Sequence, residues 1–243
     1  MIASFDLIEY RRRQFSPARR LAGQVEGLRF WCPLNIGGDF GWFREHPSRR
    51  GLYRRLKPDF HRWAYYAVWD DDSALEAFRA QSTVAAAWSD GCSQALHLSL
   101  TPVRVRGPWP GMRALEGSTV KSATGGPVAV LARLDLTLRG TVAMWASAAP
   151  RLLHHIPDSA ELLLGIPLVD RPYVQPVSFS LWRSADSARM FAFGTAGHRD
   201  AVARVQSAQA DLVTRFSAGR FEPFRSAGTW NGRNPLDSLT DRS

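Results

Sequence analysis

The chain has 243 residues, which is long enough for one large domain or two small ones with a core that needs no covalent cross-link. Hydrophobic residues make up 45% of it and charged residues 22%, and this balance excludes an intrinsically disordered chain. The formal charge of +9 comes almost wholly from arginine, since Lys57 and Lys121 are the only lysines.

The basic residues are densest at 11–13, 19–20 and 49–55. Arginine forms fixed pairs with carboxylates and phosphates, so these runs are compatible with a polyanion. A solvated basic surface is the simpler interpretation, and an anionic membrane surface fits the same charges. We therefore expect no nucleic-acid partner, while peripheral membrane association stays open.

Cys32 and Cys92 are too few for a disulfide scaffold, which predicts a reducing, cytoplasmic location. The opening "MIASFDLIEYRRR" has its charges after the apolar run and no cleavage pattern, which argues against a signal peptide. No apolar stretch approaches the length of a membrane span. We expect a soluble or at most peripheral protein.

Periodicity divides the chain into two similar halves. In chain order the first half is predicted as strand 3–9, helix 16–23, strand 27–36, an irregular segment 37–59, strand 61–69, helix 70–81 and a strand from 93. The second half is predicted as strand 127–136, helix 141–156, strands 160–168 and 174–183, a helix from Ser184, a helix over 198–216 and strand 220–227. "AVWDDDSALEAF" at 67–78 aligns with "SLWRSADSARMF" at 180–191, and "GPWPG" at 107–111 with "GTWNG" at 228–232.

The order β-α-β-β-α-β in each half is ferredoxin-like. The predicted fold class is therefore α+β, with duplicated ferredoxin-like halves over 1–120 and 127–243 joined by the linker 121–127. Two such halves can close into a barrel like that of dimeric α+β barrel proteins, here in a single chain, with helices outside and a cavity between sheet and helix.

Several motifs together resemble the spheroidene monooxygenase family of bacterial acyclic carotenoid oxygenases. They are "GLRFW" at 27–31, "FSLWRS" at 179–184, "GHRDAV" from 197, "RFEPF" at 220–224 and "GTWNGRNPL" at 228–236. The resemblance implies a heme-dependent oxygenase on a dimeric α+β barrel type of fold, like that of chlorite dismutases and aldoxime dehydratases. Residues 37–60 depart from the family pattern, which leaves the substrate open.

The resemblance implies that His198 is the axial metal ligand of a heme b. Without the family resemblance, a histidine in the first turn of a helix is interpreted as an exposed residue with no special role. Arg183 and Arg199 lie near this position in sequence and are candidates to pair with the heme propionates, although both also fit an ordinary surface. Trp42 and Phe43, in the irregular segment, are candidates for contact with an apolar substrate.

The other candidate ligands are weaker. His61, His97, His154 and His155 fit structural roles in strands and at a helix end, His46 lies in the irregular segment, and Cys92 lacks a thiolate-heme signature. No Cys or His pair has zinc spacing, and neither a phosphate loop nor a nucleophile elbow is present. Four tryptophans at recurring motif positions are predicted to be core: Trp31, Trp69, Trp182 and Trp230.

The leading hypothesis is a heme-dependent monooxygenase, an oxidoreductase acting on a largely apolar small molecule in specialised metabolite biosynthesis. The oxidant, dioxygen with an electron donor or a peroxide, stays open, as does a homodimer. One alternative is a heme-dependent dehydratase or N–O enzyme of the aldoxime dehydratase type. The other is a cofactor-free ligand-binding module.

Overall fold

The computed structural model describes residues 1–15, 25–36, 59–122, 125–144, 161–171, 174–194 and 212–237. Its strands are β1 (Ile2–Tyr10), β2 (Leu28–Ile36), β3 (Arg62–Trp69), β4 (Cys92–Arg106), β5 (Val128–Leu136), β6 (Leu162–Val169), β7 (Pro176–Trp182) and β8 (Val213–Gly228). They form a closed antiparallel barrel in the order β1-β3-β2-β6-β7-β5-β8-β4.

The barrel is built from two equivalent sheets. Each contributes four strands in the same relative order, β2-β3-β1-β4 from the first half of the chain and β6-β7-β5-β8 from the second. One seam is long, because β4 pairs with β8 from Leu96↔Gly228 to Arg106↔Ala218. The other seam joins β2 to β6 and consists of the pairs Asn35↔Val169 and Ile36↔Leu168. The predicted α+β class and duplicated barrel are confirmed, while the division into domains near 121–127 stays a prediction.

The inside of the barrel is a packed hydrophobic core. Alternate residues of β1 point into it, and Phe5 stacks on Phe179 of β7 with ring centroids 3.7 Å apart. Trp109 and Trp230 belong to the same core, and each follows a glycine with positive φ, Gly107 at 99° and Gly228 at 78°. Both repeated Gly-x-Trp motifs therefore turn the chain after a strand and return a tryptophan to the core.

The helices of the described residues lie outside the sheets or follow strand ends. They are α1 (Asp72–Gln81), α2 (Thr83–Gly91), α3 (Pro110–Arg113), α4 (Leu138–Ala143) and α5 (Ala185–Arg189), the last continued by a π-helical turn over Met190–Gly194. Capping follows the sequence: Asp71 accepts from the Ala74 N–H at 2.9 Å, and Ser184 accepts from the Ser187 N–H at 3.1 Å. Within the described ranges, no helix combines the length and apolar character needed to cross a bilayer.

Two sequence predictions require correction. The helix over 198–216 is wrong at its C-terminal end, because Val213–Gly228 form β8 and Phe216 is paired with Leu134 of β5. The strand expected at 220–227 is the second half of this long strand. Helix α2 was not predicted, and the remainder of 198–216, helix 16–23 and most of helix 141–156 lie outside the described residues.

Candidate functional site

The outer face of the first sheet is filled by its own aromatic side chains. These are Trp31, Trp63, Tyr65 and Trp69 from the strands, with Phe78 of α1 and Trp88 of α2 packed over them. Ring centroids of Trp88 lie 5.7 Å from Trp31 and 4.7 Å from Tyr65. These side chains form a second buried core beneath the two helices.

The outer face of the second sheet instead carries mostly small side chains, with one arginine at the end of a row. Two adjacent rows of cross-strand partners run across it, Gly165-Ser180-Val130-Arg220 and Pro167-Ser178-Ala132-Ala218. Cross-strand partners point to the same side, and the alternate residues Leu131, Phe179 and Phe221 fill the barrel core. The rows therefore face outward, and all eight residues are half-buried. We call these rows the small-residue face.

Arginines border the small-residue face on the β8–β4 side. The Arg220 Nε is buried and has no hydrogen-bond partner among the described residues. The rows continue onto β4 as Arg104 and Arg106, both exposed, and the Arg106 guanidinium lies 4.7 Å from the centre of the Phe216 ring. A guanidinium donates paired hydrogen bonds to carboxylates and phosphates, so this edge favours an anionic group.

An aromatic pair borders the face where β7 ends. Trp182 is buried and donates from Nε1 to the Ser180 Oγ at 2.9 Å, which fixes both side chains. Its ring centroid lies 5.0 Å from that of Phe191 in the π-helical turn. The small-residue face thus has short side chains at its centre, an apolar border at the end of β7 and a cationic border along β8 and β4. This arrangement fits a flat, largely apolar group that carries carboxylates.

Of the predicted site residues, Arg183 alone lies in the described part of the chain. It follows Trp182 directly, is half-buried, and its backbone N–H donates to the Glu161 carbonyl at 2.8 Å. His198, Arg199, Trp42 and Phe43 lie outside the described residues. Their roles, and that of Arg183, stay predictions.

Two of the alternative histidines have structural partners. The Nδ1 of His61 lies 3.1 Å from the Tyr10 carbonyl oxygen, and the Nδ1 of His97 lies 2.8 Å from the Asp6 Oδ1. Within the described ranges, no group of three or more His, Cys, Asp or Glu side chains could hold a metal ion. His46, His154 and His155 lie outside those ranges.

A buried polar cluster beneath α1 was missed by sequence reasoning. Asp6 of β1 lies 2.8 Å from the His97 Nδ1 and accepts from the Arg79 Nη2 at 3.3 Å, while the Arg79 Nη1 donates to the Ser99 Oγ at 3.2 Å. Burial opposes ionisation of Asp6, but the His97 hydrogen bond and the Arg79 charge outweigh it and lower the pKa of this carboxyl. An aspartate between apolar residues of a buried strand was the available signal. The cluster ties α1 to β1 and β4.

No protein-family model matches the chain. Spheroidene monooxygenase of Cereibacter sphaeroides is 29% identical over 189 residues, which cover 76% of this chain and 57% of that protein. Its namesake in Rhodobacter capsulatus is 26% identical over 85% of each chain, and that of Rubrivivax gelatinosus is 25% identical over 73% of this chain and 66% of its own. The chain therefore spans little more than half the length of the first relative. The resemblance seen in the motifs is confirmed.

Solved structures agree on the fold. An aldoxime dehydratase in complex with butyraldoxime superposes with a TM-score of 0.53 at 12% identity, over 92% of this chain and 79% of that one. A second aldoxime dehydratase structure gives a TM-score of 0.50 at 12% identity, over 91% and 81% of the two chains. At this identity the likeness shows a shared fold alone.

Proposed function

We propose that the chain is a heme-dependent monooxygenase that acts on a largely apolar small molecule. The similarity to three spheroidene monooxygenases supports an oxidoreductase of this type. The observation that carries the proposal is the small-residue face, because it gives one half of a duplicated fold mostly small outward side chains where the other half has an aromatic core.

The residues of the small-residue face fit heme b. A porphyrin is flat and apolar over most of its area, and Gly165, Ala132 and Ala218 present no long side chain against it. Its propionates need cationic partners, and Arg220 has a buried Nε without a partner among the described residues. On the N-terminal sheet the same position is occupied by rings such as Trp31 and Tyr65.

The remaining cofactor contacts are expectations from the family resemblance and from sequence proximity to His198. His198 would be the axial ligand, a role that imidazole commonly fills in heme proteins. Arg183 and Arg199 would add to the propionate contacts. When bound, the heme would supply the oxygen-activating chemistry, while the protein sets ligation and access.

The described residues define what the protein contributes. The packed barrel behind the face excludes water from that side. The hydroxyl groups of Ser178 and Ser180 supply polar contacts in an otherwise apolar surface, and Trp182 fixes the orientation of Ser180 through a hydrogen bond of 2.9 Å. Outside the described residues, Trp42 and Phe43 would contact the substrate, which we expect to come from specialised metabolism.

Filling the small-residue face tests where the heme binds. We expect Ala218→Phe to abolish or greatly weaken heme binding, measured by titrating the purified protein with hemin and following Soret absorbance. Ala227→Phe is the matched control, since Ala227 lies on the same strand and is exposed. Equal heme affinity in both variants would contradict the proposed location.

Measuring oxygen consumption and the source of the oxygen in the product tests the reaction class. A monooxygenase consumes dioxygen in proportion to product and transfers labelled oxygen from it, or accepts oxygen from a peroxide, whereas a dehydratase does neither. Loss of turnover in His198→Ala, with the fold intact by circular dichroism, would agree with a heme enzyme. Unchanged ligand affinity in that variant, together with no heme in the wild type, would favour a cofactor-free binding module.

A further inference from the structure

A short helix at one end of the barrel presents apolar side chains to solvent. In α4, Leu138 is 84% exposed and Val142 is 63% exposed. Val174 is 43% exposed and lies at the same end, because its carbonyl accepts from the Leu136 N–H at 2.9 Å. Large apolar side chains that share one exposed surface are typical of an interaction site.

The outward orientation of these side chains is fixed by the opposite side of α4. Gly140 is buried against the backbone of residue 212, and a Cβ added to Gly140 would lie 1.8 Å from the Leu212 carbonyl oxygen. Residues two positions away point roughly 160° from Gly140 around a helix, so Leu138 and Val142 must face away from the barrel.

Capping holds α4 in this position. The Thr137 Oγ1 accepts from the Gly140 N–H at 2.9 Å, and the Thr137 N–H donates to the Leu212 carbonyl at 3.0 Å. The exposed apolar pair is therefore part of an anchored helix rather than of a frayed end.

The charges of the described residues around this apolar surface are net positive. Arg139, Arg171 and Arg215 are exposed at the same barrel end, and none of them forms an ion pair with another described residue. The nearby carboxylates of Asp135 and Asp170 are instead held by Arg133, which donates to them at 3.0 Å and 2.7 Å. The described part of this barrel end thus combines apolar side chains with guanidinium groups that have no ion-pair partner among the described residues.

We propose that this end of the barrel, formed by α4 with Arg171 and Val174, docks on an anionic lipid bilayer. Leu138, Val142 and Val174 would enter the region between headgroups and acyl chains, and the arginines would contact lipid phosphates. The sign of the charge selects the partner, because a zwitterionic bilayer has no net negative charge to attract the arginines. A second copy of this chain, with its formal net charge of +9, repels the first.

Vesicle co-sedimentation tests the proposal. The full chain should sediment with vesicles of phosphatidylcholine and phosphatidylglycerol, bind far less to phosphatidylcholine alone, and dissociate as salt is raised. Replacing both Leu138 and Val142 by serine should weaken binding about tenfold through loss of buried apolar area. Arg139→Gln should weaken binding to the anionic vesicles about fivefold.

Matched control variants separate the effect of the proposed surface from general effects of misfolding and of lower total charge. Val120→Ser removes a valine that is 47% exposed elsewhere, and Arg189→Gln removes a guanidinium whose side chain is 67% exposed at the end of α5. Both should bind the anionic vesicles like the wild type. The proposal is overturned if the wild type ignores these vesicles, if the serine double variant binds equally well, or if α4 instead mediates a dimer that sedimentation velocity detects without lipid and the double variant loses.

Discussion

Neutralising Asp6 is the sharpest test of how the N-terminal half is held together. Asp6→Asn keeps the shape of the side chain but removes the charge that His97 and Arg79 share at 2.8 and 3.3 Å. Removing one partner of a buried ion pair costs about 3–5 kcal/mol. The Arg79 side chain is 20% exposed and retains Glu76 at 3.2 Å, so we expect the lower end of that range.

A loss of about 3 kcal/mol corresponds to a melting temperature lower by about 6–12 °C in a chain of this size. The effect should depend on pH in a defined direction. The pKa of Asp6 is below its ordinary value of 3.8 in the folded state, so the unfolded chain takes up this proton first on acidification. The Asp6 contribution is therefore complete above that ordinary value and is lost as the pH falls through the lowered folded pKa.

Urea unfolding at neutral pH and at successively lower pH measures both effects. The difference between wild type and Asp6→Asn should be largest near neutrality and shrink in acid. Asp186→Asn is the control, because its side chain is 87% exposed and its replacement should change the unfolding free energy by less than about 0.5 kcal/mol. A neutral-pH loss for Asp6→Asn no greater than that of Asp186→Asn would refute the reasoning.

Two further substitutions test the packing. Gly140→Ala should cost about 3 kcal/mol in thermal unfolding, since its Cβ would meet the Leu212 carbonyl oxygen at 1.8 Å, whereas Gly126→Ala, with no atom within 4 Å, should leave stability unchanged or slightly higher. Phe179→Ala should cost about 3–5 kcal/mol because it removes a fully buried ring. Phe224→Ala, 45% exposed, should cost far less, and similar losses for both phenylalanine variants would contradict the assigned core.

Local sequence patterns predicted most of the described strands and helices. Apolar periodicity in β1 and a continuous apolar run in β3 placed both strands within a residue of their ends. The aspartates at 70–72 and Ser184 marked helix starts because capping depends on a few adjacent residues. Helix α2 was not predicted because its sequence "TVAAAWSDG" has little contrast between an apolar and a polar face. The start of β8 was assigned to a helix, since "VTRF" gains its extended conformation from pairing with β5.

The candidate site depends on register, which local patterns do not determine. Strand alternation indicates that Ala132 and Leu134 share a face, but not that Ala132 lies opposite Ala218, far along the chain. The contact between Asp6 and His97 likewise joins β1 to β4. The family resemblance, in contrast, identified His198 as the candidate ligand. It gave no information about which face of the sheet a heme would contact.

The absorption spectrum of the purified chain, expressed with ample heme supply, tests the central claim most directly. We expect a Soret band with about one heme per chain, and its loss in Ala218→Phe but not in Ala227→Phe. A wild-type protein that carries no Soret band and binds no added hemin would contradict the account.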